Sequence, residues 1–315
     1  MPPQRELVQR RFSTSHHFFH VRLFPSSETS RILAQRIHQC SASHRCRRRW
    51  PAWHLSRNLR RALASFYYHS AHSRAFASWL GEQKRSIYHK CLSQQQKESP
   101  YHLHGPALPE CFLARENDVN YEISFHSGYS QGIFLDQRDN RLRVRQRVSA
   151  GDTVLNTFAY TGAFSVCAAL GGAQTTTLDL SQPYLDWAKR NFQHNQLDPA
   201  AHHFCKGDTF HWLRRFSKQG RKFHGIILDP PTFSRDEKGQ VFRVESDYGE
   251  LARLAQQCLQ PGGWMLCSTN CHKLHPRDFE RQLRDALSRQ CRFTHTPMPT
   301  DFTDAPYLKS VWVES

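Results

Sequence analysis

The strongest constraint on the fold is an alternation of short apolar runs with amphipathic segments across residues 151–315. Strands that alternate with helices of about 10–15 residues form a mostly parallel sheet with helices on both faces. We therefore predict an α/β, doubly wound sheet of seven strands. Because no long helix separates the last two strands, we expect them to form an antiparallel hairpin at one edge. The predicted strands are 153–158, 175–180, 203–206, 223–228, 264–268, 293–298 and 307–313, and the main helices between them are 164–170, 182–194, 210–219, 248–259 and 276–289.

Two elements are predicted immediately before this alternation. Residues 119–125 alternate like a strand and 132–135 follow a glycine, so the two segments are expected to pair as a β-hairpin. Residues 136–148 are highly charged and contain neither Gly nor Pro, which predicts a helix capped by Asp136. We assign residues 111–150 to this hairpin and helix, and residues 151–315 to the main domain.

The first third of the chain has a different composition. Residues 1–100 carry 18 Lys or Arg and four acids, a net charge of +14, and the rest of the chain adds only +2 to reach the total of +16. This third contains no Asp and only one glycine, Gly81, although both residue types are common in turns. We therefore place a boundary near residue 110 and expect a basic, poorly ordered extension before it, with an irregular helical pattern over 59–90.

Several interpretations of residues 1–110 remain open. As an RNA-binding arm, its arginines would neutralise phosphates and its aromatic residues, such as Trp50 and Trp53, would stack on bases. As a transit peptide, residues 1–30 would have the Arg-rich, Ser-rich and acid-poor composition of an organelle address. The favoured interpretation is an unstructured extension or a coding start read out of frame.

The cysteines bear on the cellular compartment. The chain has ten cysteines and no C-x-x-C pair, which argues against a zinc cage, and its length argues against a small disulfide scaffold. We interpret them as reduced thiols and expect a cytoplasmic protein, with an organellar location as the alternative if residues 1–30 are a transit peptide. No run of about 18 apolar residues occurs, so we expect neither a spanning helix nor a membrane partner.

Polar residues follow the carboxyl ends of successive predicted strands, where ligands of such sheets bind. Residues 156–164, N-T-F-A-Y-T-G-A-F, form a turn with one glycine that leads into a helix. Asp179 follows the second strand, where an acid accepts hydrogen bonds from ribose hydroxyls, and Asp208 follows the third, within reach of an adenine amine. The sequence D-P-P-T-F at 229–233 follows the fourth strand. Each acid alone is also a typical helix N-cap, but the four features in order favour a nucleoside site.

These residues resemble the class I S-adenosylmethionine-dependent methyltransferases, and more narrowly the bacterial large-subunit ribosomal RNA methyltransferases of the I and K types, over about residues 116–315. The resemblance implies a Rossmann-like methyltransferase sheet, S-adenosyl-L-methionine (SAM) as cofactor and RNA, specifically 23S ribosomal RNA, as partner. The motifs that carry it are G-I-F-L-D-Q-R-D-N-R at 132–141, V-L-N-x-F-x-Y-T-G-A-F at 154–164, L-D at 178–179, G-D at 207–208, D-P-P-T-F-S at 229–234 and P-G-G at 261–263.

The resemblance also implies residue roles. The turn at 158–162 would lie beneath the methionine part of the cofactor, Asp179 would bind its ribose and Asp208 its adenine. Arg138 and Arg141 are equally compatible with phosphate contacts or with a solvated helix face. The implied cofactor-binding residues are Gln137, Arg138, Arg141, Asn156, Phe158, Tyr160, Gly162, Asp179, Asp208 and Asp229. The implied catalytic residues are Asp229, Pro230, Pro231, Phe233, Asn270 and Cys271, with Phe233 stacking on an extruded base.

The segment C-S-T-N-C-H-K at 267–273 bears on the methylated atom. Carbon-5 of cytosine requires a cysteine thiolate that adds to the neighbouring carbon, whereas N7 of guanine has its own lone pair. Counted from Gly263, Asn270 occupies the position of the cysteine in the I type and matches the Asn-Asn pattern of the K type. Cys271 lies one residue further, which turns its side chain to the other face. We therefore favour an N7-guanine-like target, with Cys271 as an alternative nucleophile or an unreactive thiol.

Two other functions are compatible with the sequence. The fold alone does not determine the substrate, and the nearly neutral charge of residues 101–315 is compatible with a methyltransferase that acts on a small molecule or a protein. A non-catalytic RNA-binding module is the third possibility, although the presence of Asp179, Asp208 and Asp229 argues against it.

Overall fold

The computed structural model describes residues 62–67, 86–91, 101–127, 130–235, 239, 241–302 and 306–315. Two small sheets precede the main one. A three-stranded sheet contains β1 (Ala62–Tyr67), β2 (Ser86–Cys91) and β3 (Tyr101–His104), and an antiparallel hairpin contains β4 (Phe112–Glu116) and β5 (Val119–Ile123).

The main sheet has seven strands and confirms the predicted architecture. The remaining strands in chain order are β6 (Thr153–Thr157), β7 (Gln174–Asp179), β8 (His203–Lys206), β9 (Phe223–Leu228), β10 (Phe233–Arg235), β11 (Val241–Arg243), β12 (Leu259–Thr269), β13 (Arg292–Thr296) and β14 (Lys309–Glu314). The spatial order is β13-β14-β12-β9-β6-β7-β8, and β10 and β11 form a separate hairpin. β14 runs antiparallel to both of its neighbours, β12 and β13, so the last two strands form the expected hairpin at one edge.

Six α-helices in the described part of the chain accompany these strands. They are α1 (Arg138–Arg147), α2 (Ala163–Leu170), α3 (Gln182–His194), α4 (Thr209–Lys218), α5 (Val244–Gln257) and α6 (Pro276–Ala286). None of the helices among the residues described combines the length and the apolar character needed to cross a membrane.

The alternation of side chains along the strands explains why helices cover both faces of the sheet. Successive residues of a strand point to opposite faces. Leu155, Ile226 and Met265 belong to one buried cluster, which includes apolar residues of α4, α5 and α6. Their neighbours Val154, Ile227 and Leu266 belong to another, which includes residues of α1 and α2. Both faces are therefore apolar, and each requires its own layer of helices.

The predicted partner of the strand near residue 119 is wrong. The strand pairs with the preceding residues of β4, not with 132–135. The turn consists of Asn117 and Asp118, which both have positive φ, 48° and 62°. Asn and Asp tolerate this conformation, and two such residues make the tight turn that joins twisted antiparallel strands.

The predicted cap at Asp136 is also wrong. Asp136 lies in a 3-10 helix, Leu135–Gln137, and α1 begins after it at Arg138, with Gln137 as N-cap and no side-chain capping bond. The Asp136 carboxylate is buried and accepts a hydrogen bond from the Tyr307 hydroxyl, 3.1 Å away, at the other end of the chain. The Asp136 side chain therefore makes a long-range contact and does not cap α1.

Part of the predicted extension is regular structure. The described residues at 62–67 and 86–91 form parallel strands instead of the helical pattern expected over 59–90. Tyr88 is buried, packs against Phe125 at a centroid distance of 4.7 Å and accepts a hydrogen bond from the Leu108 amide at 2.8 Å. The domain boundary near residue 110 stays a prediction, and residues 1–61, with the possible transit peptide, lie outside the described residues.

Candidate active site

A cavity of ≈ 570 Å³ opens at the carboxyl ends of β6, β7, β9 and β12. The chain passes from β6 to β7 and β8 on one side and later to β9 and β12 on the other, so the cavity lies at the switch point of the sheet. The structure brings together many predicted site residues there. The cavity is lined by Ser130, Phe134, Asp136, Gln137, Phe158, Tyr160, Asp179, Leu180, Tyr184, Thr209, Asp229, Pro230, Pro231, Thr232, Phe233, Ser234, Asn270, His272 and Leu308.

The turn after β6 forms one wall of the cavity. Phe158 and Tyr160 both have φ of 51°, and Gly162, which precedes α2, has φ of 71°. A Cβ atom at Gly162 would lie 2.7 Å from the Cβ of Ala188 in α3. Glycine at this position therefore allows both the left-handed backbone and the close approach of α3.

Asp179 is held at the end of β7 by backbone amides. Its Oδ2 accepts a hydrogen bond from the Tyr160 N–H and its Oδ1 from the Ser181 N–H, each at 2.8 Å. Partial burial raises the pKa of this carboxyl above its usual value. Each carboxylate oxygen has further acceptor capacity, so the side chain is fixed in place and still able to accept hydrogen bonds from a ligand.

Asp229 forms a second polar centre in the same cavity. Its Oδ2 accepts from Gln137 Nε2 and its Oδ1 from Ser268 Oγ, each at 3.0 Å. Burial, together with the nearby carboxylate of Asp136, raises the pKa of Asp229 to about 6. Sequence reasoning missed Asp136 and Ser268 as cavity neighbours, although Asp136 lies in the motif at 132–141 next to Gln137.

The loop after β9 contacts the loop after β12. Thr232 Oγ1 donates to Asn270 Oδ1 at 3.0 Å, and both residues line the cavity. Cys271 is fully buried in the apolar cluster of α4, α5 and α6 and does not line the cavity. The ammonium of the buried Lys309 donates to the backbone carbonyl of Cys271 at 2.6 Å, which ties this loop to β14. Asn270 and Cys271 therefore face different environments.

Asn156 lies below the cavity wall. It is buried within β6, and its Nδ2 donates to Ser165 Oγ of α2 at 3.0 Å. Asn156 does not line the cavity. Its hydrogen bond instead joins β6 to α2, the two elements that flank the cavity-lining turn.

The two predicted arginines have structural partners. Arg141 is 2% exposed and pairs with Glu116 through two hydrogen bonds of 2.8 and 2.9 Å, so the expectation of a solvated helix face is wrong for it. Arg138 pairs with Asp301 at 2.6 and 2.9 Å. Neither lines the cavity, because long-range acids that the local sequence does not reveal bind both guanidinium groups.

Asp208 is the N-cap of α4. Its carboxylate accepts from the His211 N–H at 2.8 Å, as expected of an ordinary cap. The next residue, Thr209, lines the cavity whereas Asp208 does not. Its contact with an adenine therefore stays a prediction.

Comparisons with known proteins show the family and the fold. A family model described as S-adenosylmethionine-dependent methyltransferase matches residues 56–311. Two similar curated proteins are each named ribosomal RNA large subunit methyltransferase I. The one from Serratia proteamaculans (strain 568) is 42% identical over 184 residues, which are 58% of this chain and 46% of the relative. The one from Pseudoalteromonas translucida (strain TAC 125) is 39% identical over 210 residues, which are 63% of this chain and 52% of the relative. This chain spans about half the length of the curated relatives it matches.

Solved structures share the fold. The crystal structure of SMU.776 complexed with SAH superposes with a TM-score of 0.72 and 31% identity, over 81% of this chain and 69% of that chain. A SAM-dependent methyltransferase from Agrobacterium tumefaciens superposes with a TM-score of 0.64 and 17% identity, over 80% of this chain and 83% of that chain. At this identity the similarity shows the fold alone. The family match begins well before the predicted start of the resemblance near residue 116. The chain belongs to the S-adenosylmethionine-dependent methyltransferase family, whose cofactor is SAM.

Proposed function

We propose that this chain uses SAM to methylate a base of large-subunit ribosomal RNA, at an atom with its own lone pair such as N7 of guanine. The observation that carries the proposal is the composition of the cavity. It contains Asp179 at one strand end and Asp229 with Asn270 at others, and none of the described residues that line it is a cysteine. The names of the curated relatives support RNA of the large ribosomal subunit as the substrate.

The donor and acceptor groups of the cavity fit SAM. Asp179 offers carboxylate oxygens to a ribose diol, and the rings of Tyr160 and Tyr184, 4.6 Å apart, lie beside it. The cavity volume of ≈ 570 Å³ is typical of small-ligand sites, which span about 300–1,000 Å³. When bound, the cofactor supplies an electrophilic methyl group on a sulfonium.

The residues of this chain position the two reactants. Asp229 is held by Gln137 and Ser268, and two prolines stiffen the backbone that follows it. Thr232 orients the Asn270 amide from the opposite loop. Methyl transfer from a sulfonium needs in-line geometry and exclusion of water more than it needs proton transfer. A rigid loop pair on either side of the cavity meets this requirement.

The burial of Cys271 supports a lone-pair acceptor. A cytosine C5 mechanism requires a sulfur atom that reaches the base. Cys271 is fully buried on the core side of its loop, and Asn270 lines the cavity in its place. N7 of guanine needs neither a covalent intermediate nor removal of a proton. A ribosomal substrate also agrees with the cytoplasmic location that the cysteine content predicts.

Mass spectrometry of ribosomal RNA nucleosides tests the proposal. We expect a methylated guanosine in large-subunit RNA from cells with the gene, its loss when the gene is deleted, and recovery with the parent gene but not with Asp179→Ala. Loss of 5-methylcytidine instead would overturn the choice of atom. An unchanged nucleoside profile would overturn the RNA substrate.

A second candidate is methylation of a small molecule or a protein. The net charge of only +2 on residues 101–315 favours it, because RNA-binding domains are usually more basic. RNA affinity that does not depend on salt concentration would support this alternative.

A further inference from the structure

The hairpin of β10 and β11 has two chemically different faces. Phe233 pairs with Arg243, Ser234 with Phe242 and Arg235 with Val241. Directly paired residues of an antiparallel hairpin share a face, and successive residues alternate between faces. One face therefore carries Ser234 and Phe242, and we define the hairpin's outer face as Phe233, Arg235, Val241 and Arg243.

The inner face anchors the hairpin to the main domain. Phe242 is buried, and its ring lies 6.2 Å from that of Phe158 and 5.7 Å from that of Phe210. Phe158 lines the cavity, so the anchor connects the hairpin directly to the site. The outer face is consequently held in a defined orientation relative to the cavity.

The outer face is aromatic, basic and exposed. Phe233 is 48% exposed and Val241 is 39% exposed, while both arginines are exposed as well. The Arg243 guanidinium lies 5.2 Å from the centroid of the Phe233 ring, a cation–π arrangement. The segment between the two strands has the sequence D-E-K-G-Q at 236–240, so the excess positive charge of the hairpin resides on its strands.

The outer face begins at the mouth of the cavity. Phe233 and Ser234 line the cavity, Arg243 lies directly opposite Phe233 across the hairpin, and Arg235 lies two residues further along β10. An aromatic ring stacks on any base, since every base has a π-face, and a guanidinium matches the geometry of a phosphate. A small-molecule substrate would need neither feature outside the cavity.

We propose that the hairpin's outer face binds the single-stranded RNA segment next to the target nucleotide. The Phe233–Arg243 pair supplies a platform for base stacking, and Arg235 and Arg243 contact phosphates of the strand that leads away from the cavity. This assignment rests on the proposed RNA methyltransferase function and identifies the surface that holds the substrate beyond the reacting base.

Salt-dependent RNA binding by the full chain tests the assignment. The double variant Arg235→Gln/Arg243→Gln should bind a single-stranded oligonucleotide of large-subunit ribosomal RNA about tenfold more weakly in fluorescence anisotropy. The slope of log K against log salt concentration is negative, and its magnitude should decrease by about 0.7 for each lost phosphate contact. The calorimetric affinity for SAM should not change. Arg289→Gln removes one charge from an exposed position after α6 and should leave RNA affinity as in the parent.

The stacking contribution has its own pair of variants. Phe233→Leu keeps apolar bulk but removes the aromatic face, so RNA affinity should fall severalfold with little change in the salt slope. Phe233→Tyr retains the ring and should retain the affinity. Equal losses in both variants would show that stacking does not contribute.

Two outcomes separate this assignment from the proposed function. If the parent binds RNA with a normal salt slope and the double arginine variant does the same, the outer face is not the RNA surface, although the RNA substrate stands. If the parent shows no salt-dependent RNA binding, the RNA substrate is rejected and the surface assignment falls with it. Loss of SAM affinity in the double variant would mean that the hairpin supports the cavity instead.

Discussion

The side-chain amide of Gln137 donates a hydrogen bond to the Asp229 carboxylate at 3.0 Å and another to Ser268 Oγ at 3.1 Å. These contacts join the segment before α1 to the ends of β9 and β12. They hold in the cavity a carboxyl group whose pKa burial raises to about 6, with Asp136 nearby. The ionisation of Asp229 therefore changes within the range of pH at which the protein can be studied.

The raised pKa of Asp229 predicts pH-dependent cofactor binding. The carboxyl is mostly neutral below pH 6 and negatively charged above it. SAM carries a positive sulfonium and its product SAH does not, so SAM affinity should increase severalfold between pH 5 and about 7, whereas SAH affinity should increase less. Calorimetric titration of both ligands across this range measures the difference.

Asp229→Asn is the variant that isolates this effect. It removes the ionisation while keeping a side chain of nearly the same size, so the affinity for SAM should lose its dependence on pH. Parallel pH profiles for SAM and SAH in the parent would show that the charge of Asp229 does not act on the sulfonium.

The same shift predicts the direction of a stability change. The Asp229 pKa rises from its ordinary value of 3.8 to about 6 in the fold, so the native state binds more protons than the unfolded state between these values. Stability from this group therefore falls as pH rises through that window. At pH 8, Asp229→Asn should increase the free energy of unfolding by up to about 3 kcal/mol, and at pH 4 most of this gain should be lost. Urea unfolding at the two pH values checks this, and a gain of equal size at both would contradict it.

Asp179→Ala should weaken SAM binding about 10- to 100-fold, because hydrogen bonds to a charged group contribute about 1.5–3 kcal/mol. Isothermal titration calorimetry measures the affinity. Asp198→Ala is a matched control, since Asp198 also accepts a backbone N–H but does not line the cavity. A comparable loss in both variants would indicate damage to the fold rather than removal of a ribose ligand.

Cys271→Ala should change kcat by no more than a few fold if the acceptor is a ring nitrogen. The thiol is buried away from the cavity, so its removal leaves the site residues in place. Cys267→Ala, at another fully buried thiol, controls for the loss of packing. Abolished turnover in Cys271→Ala alone, together with a covalent RNA adduct of the parent, would establish a cytosine C5 mechanism.

Arg141→Met should destabilise the protein by about 3–5 kcal/mol, because it leaves the Glu116 carboxylate buried without its partner. Burial already raises the pKa of Glu116 above its ordinary value. The double variant Arg141→Met/Glu116→Gln should recover a large part of this loss. Denaturant unfolding gives both free energies, and a double variant less stable than Arg141→Met would contradict the ion-pair argument.

Local patterns in the sequence determined most of the central sheet. The strands at 203–206 and 223–228 and the helix at 182–194 have the predicted bounds. Each depends on the spacing of apolar residues within one segment, and such spacing selects strand or helix directly. The carboxyl ends of parallel strands share one edge, so the sequence also predicted that Asp179 and Asp229 would line one cavity.

The tertiary structure decided the contacts between distant segments. Arg141 is buried with Glu116 as its ion-pair partner, and Asp136 lines the cavity and accepts a hydrogen bond from Tyr307. Whether Asn270 or Cys271 lines the cavity depends on how one loop leaves β12 and is tied to Lys309. The free energy of each such contact depends on a partner far away in the chain. Periodicity within one segment has no information about that partner, so only the packed fold reveals it.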